Sequence, residues 1–192
     1  MTGVEVKPVA ASLAAAGPEA GQDSEVTTPI CEDLLARVLE PYAHKGCRYL
    51  LDARYRATEG SVLAYGNFTI DESAYIRSTG HFNAVESMLC FNQLAYSAFA
   101  PAVDNGEIAA LRGWSIDDYC RLQLSSMLIK RAETRFRRLL DARSFSARLL
   151  CRDFQVVERS WRYLSIPCAI EFWDDNGGSA SAEVELAAFN IP

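Results

Sequence analysis

The segment Gly80-His81-Phe82-Asn83-Ala84-Val85-Glu86 combines residue types suited to acid–base chemistry and to helix capping. Asn83, followed three positions later by Glu86, has the spacing of a helix N-cap and its reciprocal partner. The first N–H groups of such a helix lack an intrahelical acceptor and carry positive potential, so they can hold a developing oxyanion. His81 precedes that cluster, and histidine is the side-chain type best suited to act as a general base near neutral pH. The segment therefore predicts a pocket for acyl-transfer-like chemistry, although the spacing names no reaction.

Each of these residues also has a purely structural interpretation. Glu86 either completes the helix cap or takes part in the chemistry. A lone histidine is more often structural than catalytic, which applies to His44 and, less strongly, to His81. Gly80 allows a close backbone approach beside His81, which favours the catalytic interpretation.

Two tyrosines and a second asparagine are further candidates for the same pocket. Tyr42 and Tyr75 either lend a hydroxyl to the site or pack with one satisfied hydrogen bond. Asn92 comes nine residues after Asn83, on the opposite face of a helix. Because a buried asparagine needs partners, Asn92 either joins two subunits or orients substrate.

A long apolar run positions these residues. It predicts a helix from about Asn83 to Phe99, ~25 Å long at 1.5 Å per residue and closed by Pro101. It holds a histidine, two asparagines, a glutamate and a glutamine, yet nearly every face is mostly apolar, so protein should surround it. The run reads GHFNAVESMLCFNQLAYSAFA.

Before this helix, the sequence predicts a shorter helix and a β-hairpin. In TTPICEDLLARVLEPY, Thr28 is the expected cap, Pro29 fits the first turn and Pro41 ends the helix. Apolar and charged residues then alternate, which predicts a hairpin with a turn at Thr58-Glu59-Gly60. Its two strands lie in CRYLLDARYRA and SVLAYGNFTI.

After the long helix, Ser115 begins a second short helix and several long strands follow. The turn from Asp174 to Gly178 should join the last two strands. Strands are expected in LSSMLIKRAETRFRR, FSARLLCRDFQVVERSW, YLSIPCAIEFWD and SASAEVELAAFN. This order predicts an α+β hotdog fold, in which a curved antiparallel β-sheet wraps a long central helix. Residues 1–26 have almost no large apolar side chain and predict a disordered tail, so 27–192 is the expected single domain.

Composition restricts the class of protein. The 192 residues are 49% hydrophobic and 23% charged, which is typical of a soluble globular protein. A net charge of −6 argues against nucleic-acid binding. Six scattered cysteines without a C-x-x-C pair, and only two histidines, predict reduced thiols and no metal site or cofactor. Because no secretory signal and no membrane span is visible, we expect a cytoplasmic protein.

The chain resembles the mycobacterial long-chain fatty acyl-CoA thioesterase / (2E)-enoyl-ACP glycyltransferase family, which has the hotdog fold. The resemblance covers roughly residues 30 to 192. The motifs that carry it are LLARVLEPY, KGCRYLLDA, SVLAYGNFTI, ESAYIRSTGHFNAVE, LCFNQLAYSAFAPAV, LRGWSIDDYC, FSARLLCRD and IEFWDDNGGSAS.

This resemblance implies a Michael addition of glycine to a (2E)-enoyl thioester on an acyl carrier protein. Hydrolysis then releases a (3R)-3-(carboxymethylamino) fatty acid for isonitrile lipopeptide biosynthesis. The alternative is a thioesterase that only hydrolyses long-chain fatty acyl-CoA. The partners expected are an acyl carrier protein or coenzyme A thioester and glycine. A homodimer or higher homo-oligomer is also expected, with no nucleic acid and no membrane span.

The resemblance also assigns roles to residues. It implies that His81 is the base, that Tyr75, Asn83 and Asn92 line the site, and that Tyr42 is a further pocket tyrosine. For Glu86, the alternative is that it is the base, as in other hotdog thioesterases.

Charged residues leave two further questions open. Arg77 either binds the carboxylate of glycine or is a solvated strand residue. Between Lys130 and Arg152, eight basic residues accompany two acidic ones. This basic surface either meets a carrier protein or the phosphates of coenzyme A, or keeps strand edges soluble. A non-catalytic acyl-binding module is the rival from another class.

Overall fold

A computed structural model of the chain describes residues 26–77 and 80–192. The helices are α1 (Glu32–Val38), α2 (Glu40–Ala43), α3 (Ala84–Asp104) and α4 (Ile116–Ser126). The strands are β1 (Thr28–Pro29), β2 (Leu50–Thr58), β3 (Ser61–Phe68), β4 (Met127–Arg138), β5 (Phe145–Arg152), β6 (Gln155–Glu158), β7 (Arg162–Trp173) and β8 (Ser179–Phe189). The tail predicted over residues 1–26 lies outside this part of the chain except for Val26.

The strands of the described residues form one antiparallel sheet. Their order is β1-β2-β3-β5-β7-β8-β4, and β6 pairs with β7 at one side of this path. The predicted hairpin is confirmed, because Thr58 faces Ser61 at the end of the β2–β3 ladder. The predicted turn between β7 and β8 is also confirmed, with Gly177 at φ +83°. Such a backbone angle favours glycine.

Helix α3 packs across β2 and β3. Residues from Cys90 to Val103 are buried apart from Asn92, so protein surrounds this part of the helix on nearly every face, as predicted. Gly66 on β3 allows this close approach, since a Cβ atom there would lie 3.0 Å from Leu94 Cδ1. One long helix on an antiparallel sheet is the hotdog layout, and that prediction is confirmed.

Three predicted helix boundaries are wrong. Thr28 and Pro29 do not begin a helix but pair with Tyr55 and Arg54 as the edge strand β1. Pro41 lies in the first turn of α2 rather than ending α1, because proline fits the first helical turn. Helix α3 continues past Pro101 to Asp104, since burial of its last turn outweighs the hydrogen bond that proline removes.

Two predicted strands are also shorter than expected. Helix α4 extends through Ser126, so β4 begins at Met127 instead of Leu124. The strand predicted over residues 145–161 divides at Asp153, which has φ +59° and separates β5 from β6. The predicted capping role of Ser115 is confirmed, because its hydroxyl accepts a hydrogen bond from the backbone of Asp118.

Candidate active site

The N-terminus of α3 is organised by the side chain of Asn83. Its backbone is extended, at φ −129° and ψ 176°, and its Oδ1 accepts hydrogen bonds from Val85 N at 3.0 Å and Glu86 N at 3.2 Å. These two N–H groups have no intrahelical acceptor, which explains why asparagine favours this position. The predicted N-cap is confirmed.

A third donor reaches the same oxygen. The hydroxyl of Tyr75 donates to Asn83 Oδ1 at 3.0 Å. Tyr75 lies in the segment between β3 and α3, and its side chain is 46% exposed. The structure therefore brings two of the predicted site residues into direct contact at the start of the long helix.

The amide nitrogen of Asn83 differs from its oxygen in having no hydrogen-bond partner among residues 26–77 and 80–192. Nδ2 is buried and makes no hydrogen bond within the described part of the chain. With three donors on Oδ1, the orientation of the amide is fixed. A buried, unpaired donor carries a free-energy penalty of roughly 1–3 kcal/mol, so such a group calls for an explanation. Among the described residues, no acceptor therefore accounts for the position of this nitrogen.

Glu86 does not complete the cap in the way that its spacing suggested. Its side chain is only 3% exposed, and its carboxylate forms no bond to the Asn83 backbone in the described structure. It lies in the first turn of α3. Burial is the main cause that raises the pKa values of the Tyr49 hydroxyl and the Cys90 thiol, and the charge of Glu86 raises both further. A buried carboxylate therefore stands beside the helix start.

His81 lies on the wall of an open cleft of about 520 Å³. Gly80 and Ile70 belong to the same wall. The remaining walls come from residues 139–143, between β4 and β5, and from the turn that contains Asp174 and Asn176. The structure therefore places the predicted base in a cavity, two residues before Asn83.

Two backbone hydrogen bonds fix this cleft. Ile70 N donates to Ala142 O at 2.8 Å, and Phe82 N donates to Leu140 O at 3.1 Å. The ring of Phe82 is buried against Phe145 and Phe172, with centroids 4.8 and 4.9 Å apart. Packing of the residue between His81 and Asn83 thus anchors both of them.

Asp174 connects residues 139–143 to the turn between β7 and β8. Its Oδ2 accepts from Asp141 N at 2.7 Å, and its Oδ1 accepts from Asn176 N at 2.9 Å and Gly178 N at 2.7 Å. Burial alone would raise the pKa of this carboxyl, but the backbone donors outweigh burial and hold its pKa below the ordinary value. Asp174 is therefore an ionised structural group of the cleft.

Tyr42 and Asn92 lie away from the helix start. Tyr42 packs against Tyr96, with ring centroids 6.5 Å apart. Since Tyr96 follows Asn83 by thirteen residues, this pair is ~20 Å further along α3 at 1.5 Å per residue. Burial and the neighbouring Tyr96 raise the pKa of Tyr42 far above its ordinary value, which keeps it protonated. Asn92 is half-buried on α3.

Arg77 is exposed in the segment between β3 and α3 and does not belong to a strand. The interpretation as a strand residue is therefore wrong, and its link to glycine stays a prediction.

The basic surface between Lys130 and Arg152 is partly neutralised. Lys130 forms an ion pair with Glu185, and Arg135 forms one with Glu133. Lys130, Glu133 and Arg135 lie on β4, an edge strand of the sheet, where they also suit the structural interpretation.

Gln93 was missed as a residue that shapes the site. Its Oε1 accepts from Tyr49 N at 2.8 Å and Leu50 N at 3.0 Å, and its Nε2 donates to Cys47 O at 2.8 Å. The signal in the sequence was a glutamine inside an apolar helix, since a fully buried amide must find partners. Its three bonds join α3 to the start of β2.

No group of three potential metal-ligating side chains occurs within residues 26–77 and 80–192. Over the same residues, no helix has the length and apolar character needed to cross a membrane. All six cysteines are free thiols.

Comparison with known proteins gives matches over most of the chain. The FcoT-like thioesterase domain matches residues 37–188. A (2E)-enoyl-[ACP] glycyltransferase of Mycobacterium bovis is 76% identical over 169 residues, which are 88% of this chain and 92% of that protein.

Two further relatives carry the same name. The protein from Mycobacterium marinum is 70% identical over 173 residues, covering 90% of this chain and 94% of its own length. The protein from Streptomyces coeruleorubidus is 35% identical over 166 residues, covering 84% of this chain and 98% of its own length. The similarity thus extends beyond the mycobacteria.

Proposed function

This chain belongs to the FcoT-like thioesterase family, and from that premise we propose that it is a (2E)-enoyl-[ACP] glycyltransferase. It adds glycine to a (2E)-enoyl thioester on an acyl carrier protein and then hydrolyses the thioester. Relatives with this name at 70–76% identity support the glycine reaction over simple hydrolysis. The product is a (3R)-3-(carboxymethylamino) fatty acid, a precursor for isonitrile lipopeptides.

The observation that carries the mechanism is the oriented amide of Asn83. Oδ1 is held by Tyr75 and by two backbone N–H groups, while Nδ2 is buried and unpaired. In both steps of the reaction, negative charge develops on the thioester oxygen. An oriented donor that needs no reorganisation stabilises such charge by ~3 kcal/mol.

In the addition step, His81 removes a proton from the ammonium group of glycine. The free amine attacks the β-carbon of the enoyl chain, and the electron pair moves onto the thioester oxygen to form an enolate. Asn83 Nδ2 donates to that oxygen. The proton held by His81 then passes to the α-carbon, which restores the thioester and returns His81 to its neutral form.

Hydrolysis uses the same groups. His81 accepts a proton from water, which attacks the thioester carbonyl and forms a tetrahedral oxyanion at Asn83 Nδ2. Collapse expels the thiolate of the carrier, which takes the proton from His81. One donor and one base thus serve both steps, because the charge appears on the same oxygen.

The remaining predicted residues act in binding. Tyr75 holds the Asn83 amide, and Arg77 receives the carboxylate of glycine. Asn92 lies further along α3, and Tyr42 of α2 packs against Tyr96 of α3; both border the acyl chain. Glu86 is the nearest buried carboxylate to the helix start and assists in binding the substrate amine. The working form is a homodimer or a higher homo-oligomer.

Mass spectrometry of the products tests this function. The purified protein is incubated with a (2E)-enoyl thioester of a carrier protein, with and without glycine. We expect a free acid heavier by one glycine only when glycine is present, and its loss in His81→Ala. Unmodified enoic acid in both reactions would instead establish a thioesterase. If a Glu86→Gln variant folds normally but forms the glycine adduct much more slowly, the base is Glu86 and not His81.

A further inference from the structure

Tyr49 connects the hydrophobic core to the segment that carries Tyr75. Its ring is 3% exposed, and it directly precedes β2. Its hydroxyl accepts a hydrogen bond from Ala74 N at 2.9 Å, one residue before Tyr75. Its carbonyl accepts from Thr69 N at 3.0 Å. Both ends of the 69–74 stretch are therefore fixed to one residue.

The same tyrosine is fixed to the long helix. Its backbone N–H donates to Gln93 Oε1 at 2.8 Å, and Gln93 is fully buried on α3. A continuous chain of hydrogen bonds thus runs from Gln93 through Tyr49 to Ala74. It resumes one residue later, where the Tyr75 hydroxyl donates to Asn83 Oδ1 at the start of the same helix.

This closed path suggests what the Tyr49 hydroxyl does. Tyr75 is half-exposed and lies outside any helix or strand, so little packing holds its hydroxyl on Asn83. Fixing the preceding peptide restricts the backbone from which the Tyr75 side chain extends. We propose that Tyr49 is a positioning residue, whose hydroxyl holds Ala74 so that Tyr75 orients the Asn83 amide. This inference rests on the proposed role of Asn83.

The alternative is that Tyr49 only stabilises the fold. Ala74 is exposed, so water can replace the lost acceptor when the hydroxyl is removed. Tyr49→Phe should therefore lower the melting temperature only slightly. Misplacement of a catalytic group by ~1 Å can lower a rate 10²-fold. The proposal thus predicts a loss of kcat out of proportion to the loss of stability.

The test is a double-mutant cycle of Tyr49→Phe and Tyr75→Phe, measured as kcat and KM. Tyr49→Phe alone should lower kcat about 10-fold and change KM less than about 2-fold. In the Tyr75→Phe background, the same change should lower kcat less than about 2-fold, because its effect passes through the Tyr75 hydroxyl. Equal losses in both backgrounds, or an unchanged kcat in Tyr49→Phe, would overturn the proposal.

Tyr119→Phe is the matched control. Tyr119 is a fully buried tyrosine whose hydroxyl donates to Tyr96 O at 2.9 Å, far from Asn83 along α3. This variant should lower the melting temperature at least as much as Tyr49→Phe and keep the wild-type kcat. A similar fall of kcat in Tyr119→Phe would show that lost stability explains both variants, which also overturns the proposal.

The design separates this inference from the proposed reaction. The cycle is measured on glycine addition and, in parallel, on hydrolysis of a saturated acyl thioester. If wild-type protein forms no glycine adduct, the proposed function fails on that result alone. Coupling between Tyr49 and Tyr75 in hydrolysis then still decides whether Tyr49 positions the site.

Discussion

Substitutions of Asn83 separate helix capping from stabilisation of the oxyanion. The capping atom is Oδ1, which accepts hydrogen bonds from Val85 N, Glu86 N and the Tyr75 hydroxyl. The proposed catalytic atom is Nδ2, which is buried and unpaired. Aspartate keeps the acceptor and replaces the donor by oxygen. Serine keeps a capping oxygen without adding charge, and alanine removes both functions.

The expected magnitudes differ for rate and stability. Loss of one oxyanion donor lowers kcat by roughly 10²–10³-fold, or about 3–4 kcal/mol. Loss of an N-cap costs about 1 kcal/mol of stability, whereas serine and aspartate cap about as well as asparagine. We therefore expect all three variants of Asn83 to lose at least about 100-fold in kcat. Only Asn83→Ala should unfold at a clearly lower temperature.

The assay is the single-turnover rate of glycine adduct formation, followed by mass spectrometry, together with thermal unfolding of each variant. Asn105→Ser is the control, because Asn105 lies just after the other end of α3, where its Nδ2 donates to the Tyr55 hydroxyl at 2.9 Å. Its kcat should stay at the wild-type value. If Asn83→Ser or Asn83→Asp kept kcat within about 3-fold, the amide would not be the donor, and the mechanism would be refuted.

Three further predictions concern the framework of the site. Gln93→Leu leaves the buried N–H groups of Tyr49 and Leu50 and the carbonyl of Cys47 without a hydrogen-bond partner. Urea titration should therefore show a free energy of unfolding that is about 3 kcal/mol lower, and a loss below about 1 kcal/mol would contradict this. Phe82→Ala should lower the free energy of unfolding by about 3–5 kcal/mol, and Phe82→Leu should lower it much less, as measured by thermal unfolding. Equal losses in the two variants would exclude a packing role for the Phe82 ring. The fold lowers the pKa of Asp174, so the ionised carboxylate stabilises the folded state. This contribution is complete above the unfolded pKa of about 3.9 and is lost as the pH falls through the lower pKa of the folded state. The stability gap between wild type and Asp174→Asn should therefore narrow on acidification, and a gap independent of pH would rule out this role.

Local patterns determined much of the candidate site. Asn83 was recognisable as an N-cap because capping depends on residues within one helical turn. The buried helix and the hairpins were recognisable because their apolar periods repeat over short stretches. The proposed reaction, in contrast, came from the family resemblance and not from these patterns.

Errors in the sequence prediction arose where distant partners decide the structure. Thr28 and Pro29 have the local signs of a helix start, but pairing with Tyr55 and Arg54 makes them a strand. Similarly, Pro101 should end a helix in isolation, yet the last turn of α3 is buried and remains helical. Local preferences of about 1–3 kcal/mol are readily outweighed by such tertiary contacts.

Sequence by itself therefore determined the α+β class, the long buried helix and the position of its cap. Only the tertiary structure showed that Gln93 binds backbone groups more than forty residues away, and that Tyr49 holds the peptide beside Tyr75. The cleft around His81 likewise needs walls from residues 139–143 and from the turn of Asp174. The physical reason is that periodicity and caps are fixed by neighbours along the chain, whereas a cavity and its buried hydrogen bonds exist only once distant segments have packed together.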